Sequence, residues 1–471
     1  MKKIFNFTLG LFVSILIFSG CQDRTDLTAP PAPSPKSGSV DLTRYVSIGN
    51  SLTSGYQSSA LYASAQAYSY PNLIAKQVNT TFVQPLIADP GIGGQIEINT
   101  LNPFTTKTEP VLGGAPLNLN YPAPYNNLGV PGVVLADVMN STSTSTSYSK
   151  SPFIDIILRG QGTQFAQAKA LHPTFLTLWI GNNDVLGFAA SGGYSPNAPT
   201  DAQTFAYLYS QLCTSIDSLG AKVVVANIPD VTSIPFFTTV GPMIAQKLSS
   251  LQISGIYYQQ HGQYSGTALP VSSLADGTVL VTLVGQTYAG LIGTPTGKFY
   301  KDNKADISLL IAGGIIDTTQ PFGLSPKNPW PDALILDASE IQTAKTATAA
   351  FNSSISALAS AHGYGLVDIN SFLGNVRQND SKGGTVINGV RFFTTFVTGG
   401  VFSLDGIHPT NQGQAIIADE FIKVINSKFG ASIPPIDVST IPGSFVLSKR
   451  TLFSGSNIPY FAPGTFKNLL F

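Results

Sequence analysis

The segment Thr43-Arg44-Tyr45-Val46-Ser47-Ile48-Gly49-Asn50-Ser51-Leu52-Thr53-Ser54-Gly55-Tyr56 decides the fold class. Tyr45 to Ile48 is an apolar run of strand length that stops at a glycine, an amide and a serine. That is the layout of a strand turning sharply into a loop or helix. In open α/β sheets, ligands bind outside the carboxyl ends of parallel strands. Ser51 stands at such an end and is a candidate nucleophile. A serine hydroxyl is weakly nucleophilic until a neighbouring base takes its proton. The remainder of the chain must supply that base.

Working outward, the same layout recurs. Phe175–Ile180 is a near-continuous apolar run that ends in Gly181-Asn182-Asn183-Asp184, and Lys222–Ala226 is another that leads into Asn227-Ile228-Pro229-Asp230. Gly365–Ile369 supplies a further short strand. Runs of this kind belong to a parallel sheet covered on both faces. Helical patterns separate them. Pro71–Val78 carries its proline in the opening turn, Val133–Met139 begins another helix, and Ala166–Leu171 closes one before the His172-Pro173 loop. Thr200 and Gln203 have capping-box spacing ahead of Phe205, Leu208, Leu212 and Ile216, and Gly220 ends that helix. Ala338–Ala361 presents Ile341, Ala344, Ala347 or Thr348, Phe351, Ile355 and Leu358 on one side. The last helix carries Ala415, Ile416, Ile417, Phe421, Ile422 and Ile425. Strand–helix alternation predicts an α/β fold, a three-layer α/β/α domain around a mainly parallel sheet.

Two stretches exceed what that scaffold needs. Gln84–Pro124, rich in Pro, Gly and Asn, is a candidate wall of a binding site. Residues 231–330 read as a large insertion, partly helical with a hairpin, whose apolar runs Val279–Val284 and Ile307–Ala312 are core or an acyl-binding groove. A hairpin is expected within Val386–Val401, around Asn388-Gly389 or Thr398-Gly399-Gly400.

The formal charge is zero and only 11% of the 471 residues are charged, far below the roughly 25% of an average soluble protein. A nucleic-acid partner, which demands a basic face, is thereby disfavoured. Lys2-Lys3 and the apolar Ile4–Phe18 form a secretory leader. Phe18-Ser19-Gly20-Cys21 resembles a bacterial lipoprotein cleavage site, which would make Cys21 the lipidated first residue of the mature chain; an ordinary signal peptide is the alternative. Residues 22–39 then form a flexible tether, 40–430 the main domain and 431–471 a C-terminal extension along its surface. The resemblance implies a bacterial cell-envelope location, anchored to a membrane by lipid. Cys213 lies on an amphipathic helix as a small buried residue. None of His172, His261, His362 and His408 pairs with another His or Cys at metal-ligand spacing, and no metal or organic cofactor is implied.

Asp405 and His408 are separated by Gly406-Ile407 and followed by Pro409. In such a turn the carboxylate can orient the imidazole and stabilise its protonated form. Ser51 would be the proton donor. Acyl transfer also requires donors aimed at an oxyanion; Gly132, Asn183 and the Ser51 N–H are candidates. On these residues the chain resembles the SGNH, or GDSL-type, hydrolase family, defined by four separated blocks. Gly49-Asn50-Ser51-Leu52 matches the first, and Asn127-Leu128-Gly129-Val130-Pro131-Gly132 the second, with Gly132 as oxyanion glycine and Gly129 as fallback. Gly181-Asn182-Asn183-Asp184 matches the third through Asn183, and Asp405-Gly406-Ile407-His408-Pro409-Thr410 the last. Asn50 departs from the family's aspartate. The resemblance implies a flavodoxin-like sheet and a Ser51–His408–Asp405 ester hydrolase, a GDSL-like lipase or esterase acting on small-molecule or lipid esters. A carbohydrate deacetylase is the alternative within the family, and a non-catalytic surface-binding lipoprotein the alternative outside it.

Overall fold

The structure, a computed structural model, describes residues 37–102, 104–193, 198–261, 263–304 and 307–443. The leader, Cys21, most of the tether and the tail beyond 443 lie outside the described residues. Five strands form the central sheet: β1 (Tyr45–Gly49), β2 (Asn127–Gly129), β3 (Phe175–Trp179), β4 (Lys222–Ala226) and β5 (Gly365–Val367). All neighbours are parallel, in the order β5-β4-β3-β1-β2. This is the doubly wound, flavodoxin-like order, whose ligand crevice opens between β1 and β3 where the winding reverses.

Helices cover both faces, as right-handed crossovers require. Tyr70–Gln77 (α1) packs with Asn411–Phe429 (α5) on one face, and Ala202–Asp217 (α2) with Ala338–Ala361 (α3) on the other. Aromatic stacking joins each pair. Tyr70 and Phe421 lie 4.5 Å apart between ring centroids, and Phe205 and Phe351 4.0 Å apart. Such pairs contribute on the order of 1 kcal/mol beyond their burial. The sheet residues Val46, Ile48, Leu176, Leu178, Val224 and Val225 are fully buried. The expected three-layer fold is therefore the observed one.

Several local expectations need correction. Asp201, not Thr200, caps α2, accepting from the N–H groups of Gln203 and Thr204. Its carboxylate sits at the position directly before the helix, while Thr200 Oγ1 donates to Asp184. Ile369 does not extend β5 but opens the helix Ile369–Asp380 (α4), capped by Asp368. Val133–Ala136 is irregular, and helix is present only at Asp137–Asn140. Leu358 of α3 is half-buried, and Ala359 takes the core position instead. Ile307–Ala312 is a helix without a buried residue, so this apolar run is not core. Within Gln84–Pro124 lies the hairpin Ile96–Leu101/Phe104–Thr108. The later hairpin turns at Asn388-Gly389, where both residues have positive φ, as a tight two-residue hairpin turn requires.

The insertion carries helices and the hairpin Gly255–Tyr258/Thr267–Pro270, and builds a second apolar cluster around Ile244, Leu274, Val281, Phe322 and Trp330. It closes through Leu280–Val281 pairing with Ile335–Leu336. Residues 431–443 pack against the domain, with Ile433, Ile436 and Val438 buried in the main core.

Strand ends are level: Gly49 pairs with Gly129 on one side and with Trp179 on the other. A Cβ on Gly49 would stand 2.6 Å from the Trp179 carbonyl oxygen, a backbone atom that cannot swing away. Gly49→Ala is expected to cost about 1–3 kcal/mol by overpacking. Gly374→Ala, mid-helix with nothing within 4 Å of the added atom, should raise stability by roughly 0.5–1 kcal/mol. Urea midpoints moving in opposite directions for the two variants are the check.

Candidate active site

The level strand ends bring three loops to one rim. After β1, Asn50 caps the single-turn helix Ser51–Ser54: its Oδ1 accepts from Leu52 N–H at 3.1 Å. Ser51 follows directly and is 7% exposed. From the far end of the chain, the turn before α5 delivers His408, whose Nε2 lies 2.9 Å from Ser51 Oγ. On the other side of the ring, Nδ1 lies 2.8 Å from Asp405 Oδ2. Because an ionised carboxylate only accepts, Nδ1 carries the proton and Nε2 presents its lone pair to the serine hydroxyl. The three residues expected from sequence are thus one hydrogen-bonded relay, joining positions 357 residues apart.

Asp405 is almost completely buried, a costly site for a charge unless its lone pairs are filled. Besides the imidazole, it accepts from the backbone N–H groups of Ser59 at 2.9 Å, Ile407 at 2.9 Å and His408 at 2.8 Å, and from Ser403 Oγ at 3.1 Å. Burial alone pushes the carboxyl up; the charge and ring N–H of His408 and these backbone donors outweigh it and hold it at about 2. Gly406 has φ +69, and a Cβ there would lie 2.9 Å from Phe236 N. The same Phe236 N–H donates to Gly406 O at 2.9 Å, so the insertion pins the Asp405–His408 turn. Tyr56 lies against the imidazole with ring centroids 4.8 Å apart.

The second loop follows β2. Val130 N–H donates to Gly49 O at 3.1 Å, and Ser151 Oγ holds the turn by donating to Pro131 O. Gly129 N–H is spent on Asn127 Oδ1 at 2.9 Å, which leaves Gly132 as the glycine with a donor to offer. Among the described residues, no acceptor takes up the N–H of Gly132 or of Ser51. The third loop follows β3. Asn183 lines the pocket that holds Ser51 and His408, and one of its amide hydrogens bonds Val133 O at 2.8 Å, next to Gly132. Asp184 braces the loops by accepting from Leu135 N–H and Thr200 Oγ1, both at 2.8 Å. Burial pushes its carboxyl up to about 6.

Three residues near the relay escape a reading of motifs. Tyr56 sits inside the opening segment but has no chemistry-bearing partner in sequence. Phe236 arrives from the insertion. Asn182 lies next to Asn183, has 5% exposure, and leaves its Nδ2 buried without a hydrogen-bond partner; such orphans cost about 1–3 kcal/mol. Elsewhere, His261 meets Asp337 and Glu340 with ligand atoms within 4.8 Å of one another, a contact the spacing of histidines and cysteines cannot reveal. Both carboxylates there are engaged in the capping box of α3. Cys213 is buried as expected, and burial pushes its thiol up to about 12. Compared with known proteins, the chain matches no family model and no curated protein sequence.

Because the Asp405 carboxyl is held below its ordinary value of 3.8, the unfolded chain binds more protons than the native one between those pH values. The stability it contributes is present above pH 4 and is lost as pH falls towards 2. Asp405→Asn abolishes this contribution. The stability gap between wild type and the variant, measured by urea unfolding, should shrink by about 1 kcal/mol from pH 5 to pH 3.

Proposed function

We propose that this protein is a serine ester hydrolase of the SGNH type, acting through an acyl-enzyme. The observation that carries this reading is the unbroken chain from Ser51 Oγ through both ring nitrogens of His408 to the buried Asp405 carboxylate. In the forward step Ser51 Oγ forms a bond to the ester carbonyl carbon, its proton passes to His408 Nε2, and the carbonyl electron pair moves onto oxygen. Collapse breaks the bond to the alkoxy group, which leaves with the proton from His408. Water repeats the sequence to release the acid. Asp405 stabilises the imidazolium formed in both halves. The N–H groups of Ser51 and Gly132 and the Asn183 amide are the oxyanion donors of this reading.

One small pocket is lined by Ser51 itself, and a larger groove is lined by Asp405 but not by Ser51 or His408. An apolar pocket of about 50 Å³ touches Ser51 and His408 and is walled by Leu52, Trp179, Leu186, Ile234, Phe402 and Ile417. That is room for roughly three to five water-sized spheres, which suits a short acyl group. A groove of about 490 Å³ touches Asp405 and runs between the Ile96–Leu101/Phe104–Thr108 hairpin and the insertion residues Phe236, Leu283 and Gln286. The small size of the Ser51 pocket favours short-chain esters, acetyl groups included, over long-chain lipids, so the deacetylase reading gains support relative to the lipase. The lipid anchor at Cys21 and an envelope location complete the proposal on the sequence resemblance alone.

With p-nitrophenyl esters from acetate to palmitate, kcat/KM should peak at acetate to butyrate and fall at least tenfold by octanoate. Ser51→Ala should reduce kcat by at least 10³-fold while leaving the thermal midpoint within a few degrees of wild type. A peak at palmitate would reverse the assignment of acyl size. Equal turnover by wild type and Ser51→Ala would end the hydrolase reading.

A further inference from the structure

Asn182 is an amide at the rim whose Nδ2 is buried with no hydrogen-bond partner. It follows β3 and stands before the helix Asn183–Ala190, yet its side chain makes no capping bond to that helix. It lines the same pocket as Ser51 and Asn183. Its Oδ1 accepts from Asn50 Nδ2 at 3.2 Å, and its Nδ2 is buried without a partner. Oxygen and nitrogen of an amide are told apart by their partners, and here the partners dictate the order. Leu52 N–H can only donate, so the atom of Asn50 that meets it is Oδ1. Asn50 therefore presents its NH2 to Asn182, and Asn182 answers with its oxygen. The NH2 of Asn182 is the end left unpaired, on a residue that lines the pocket.

An aspartate at position 50 would still cap Leu52 but could offer Asn182 only an acceptor. The Asn182 amide would then turn its NH2 towards residue 50 and its oxygen towards the pocket, reversing the polarity seen by a substrate. Asn50 is thus the residue type that holds Asn182 as a donor. Asn183, by contrast, already spends one of its two hydrogens on Val133 O.

We infer that Asn182 is a further catalytic residue, whose Nδ2 donates a hydrogen bond to the acyl oxygen of substrate in the Ser51 pocket, with Asn50 as its positioning residue. The inference rests on Ser51 being the nucleophile. A donor realised mainly in the transition state raises kcat rather than lowering KM. It follows that the chain's Asn50 is coupled to Asn182 and is more than a tolerated exchange.

The test is a double-mutant cycle on p-nitrophenyl acetate hydrolysis, with Asn182→Ala, Asn50→Asp and the double variant, each checked by thermal melting. Asn182→Ala and Asn50→Asp should each lower kcat by about 10- to 100-fold with KM changed less than threefold. The double variant should be no slower than the slower single, because Asn50 acts through Asn182. Asn182→Asp is isosteric, keeps an acceptor for Asn50 Nδ2 and loses the donor; it should match or exceed the loss in Asn182→Ala, which separates chemistry from packing. Wild-type kcat in Asn182→Asp, or multiplicative effects of Asn50→Asp and Asn182→Ala, would overturn the inference. Ser51→Ala, run in parallel, keeps the two ideas apart. If it is inactive while Asn182→Asp is unimpaired, only the role of Asn182 fails. If it retains full activity, the nucleophile assignment fails, and the role of Asn182 with it.

Discussion

A buried carboxylate has to be satisfied or it unfolds what surrounds it, and Asp405 is the buried carboxylate on which this architecture turns. Its partners come from both ends of the domain: the Ser59 backbone from the loop after β1, and Ser403, Ile407 and His408 from the segment before α5. Satisfying Asp405 therefore closes the ring of loops around Ser51 and orients His408 in the same act. Ser58 and Ser403 reinforce the closure, since Ser58 N–H donates to Ser403 Oγ at 2.8 Å. Stability and site geometry are carried by one set of hydrogen bonds.

The sheet supplies the other half of the geometry. Parallel pairing with Gly49 level with Gly129 and Trp179 means that the segments following β1, β2 and β3 leave the sheet at one height. Ser51, Gly132 and Asn183 stand two, three and four positions beyond those residues. Small shifts in register would separate them, because each residue of slip moves a strand end by about 3.3 Å. The long excursions are then free to shape what the rim can hold: the first hairpin and the insertion wall the larger groove, and Phe236 secures the Gly406 turn.

Strand positions, the long helix α3 and the Ser–His–Asp relay were legible in sequence for a physical reason. Buried strands with polar termini and a 24-residue amphipathic helix leave strong local patterns. The Asp-x-x-His turn is equally local. What sequence did not reveal depends on contacts between distant segments. The helix α4 has few buried residues and a polar face, so Ile369 read as strand. The run Ile307–Ala312 is apolar by composition but outward-facing in the fold, and only packing could tell. The polarity of Asn182 was invisible because it is set by the cap that Asn50 makes 132 positions earlier. Of the two glycines open at the second block, a single bond from Gly129 N–H to Asn127 separates spent donor from free.

In the proposed reaction Ser51 is activated by His408 and forms a covalent acyl intermediate. Its most direct measurement is intact-mass and peptide-mass analysis after treatment with a fluorophosphonate, comparing wild type with His408→Ala. One adduct per chain is expected in wild type, mapped to Ser51, with labelling slowed by at least 10²-fold in His408→Ala. Labelling that maps to another residue, or that proceeds at an unchanged rate without the imidazole, would contradict it.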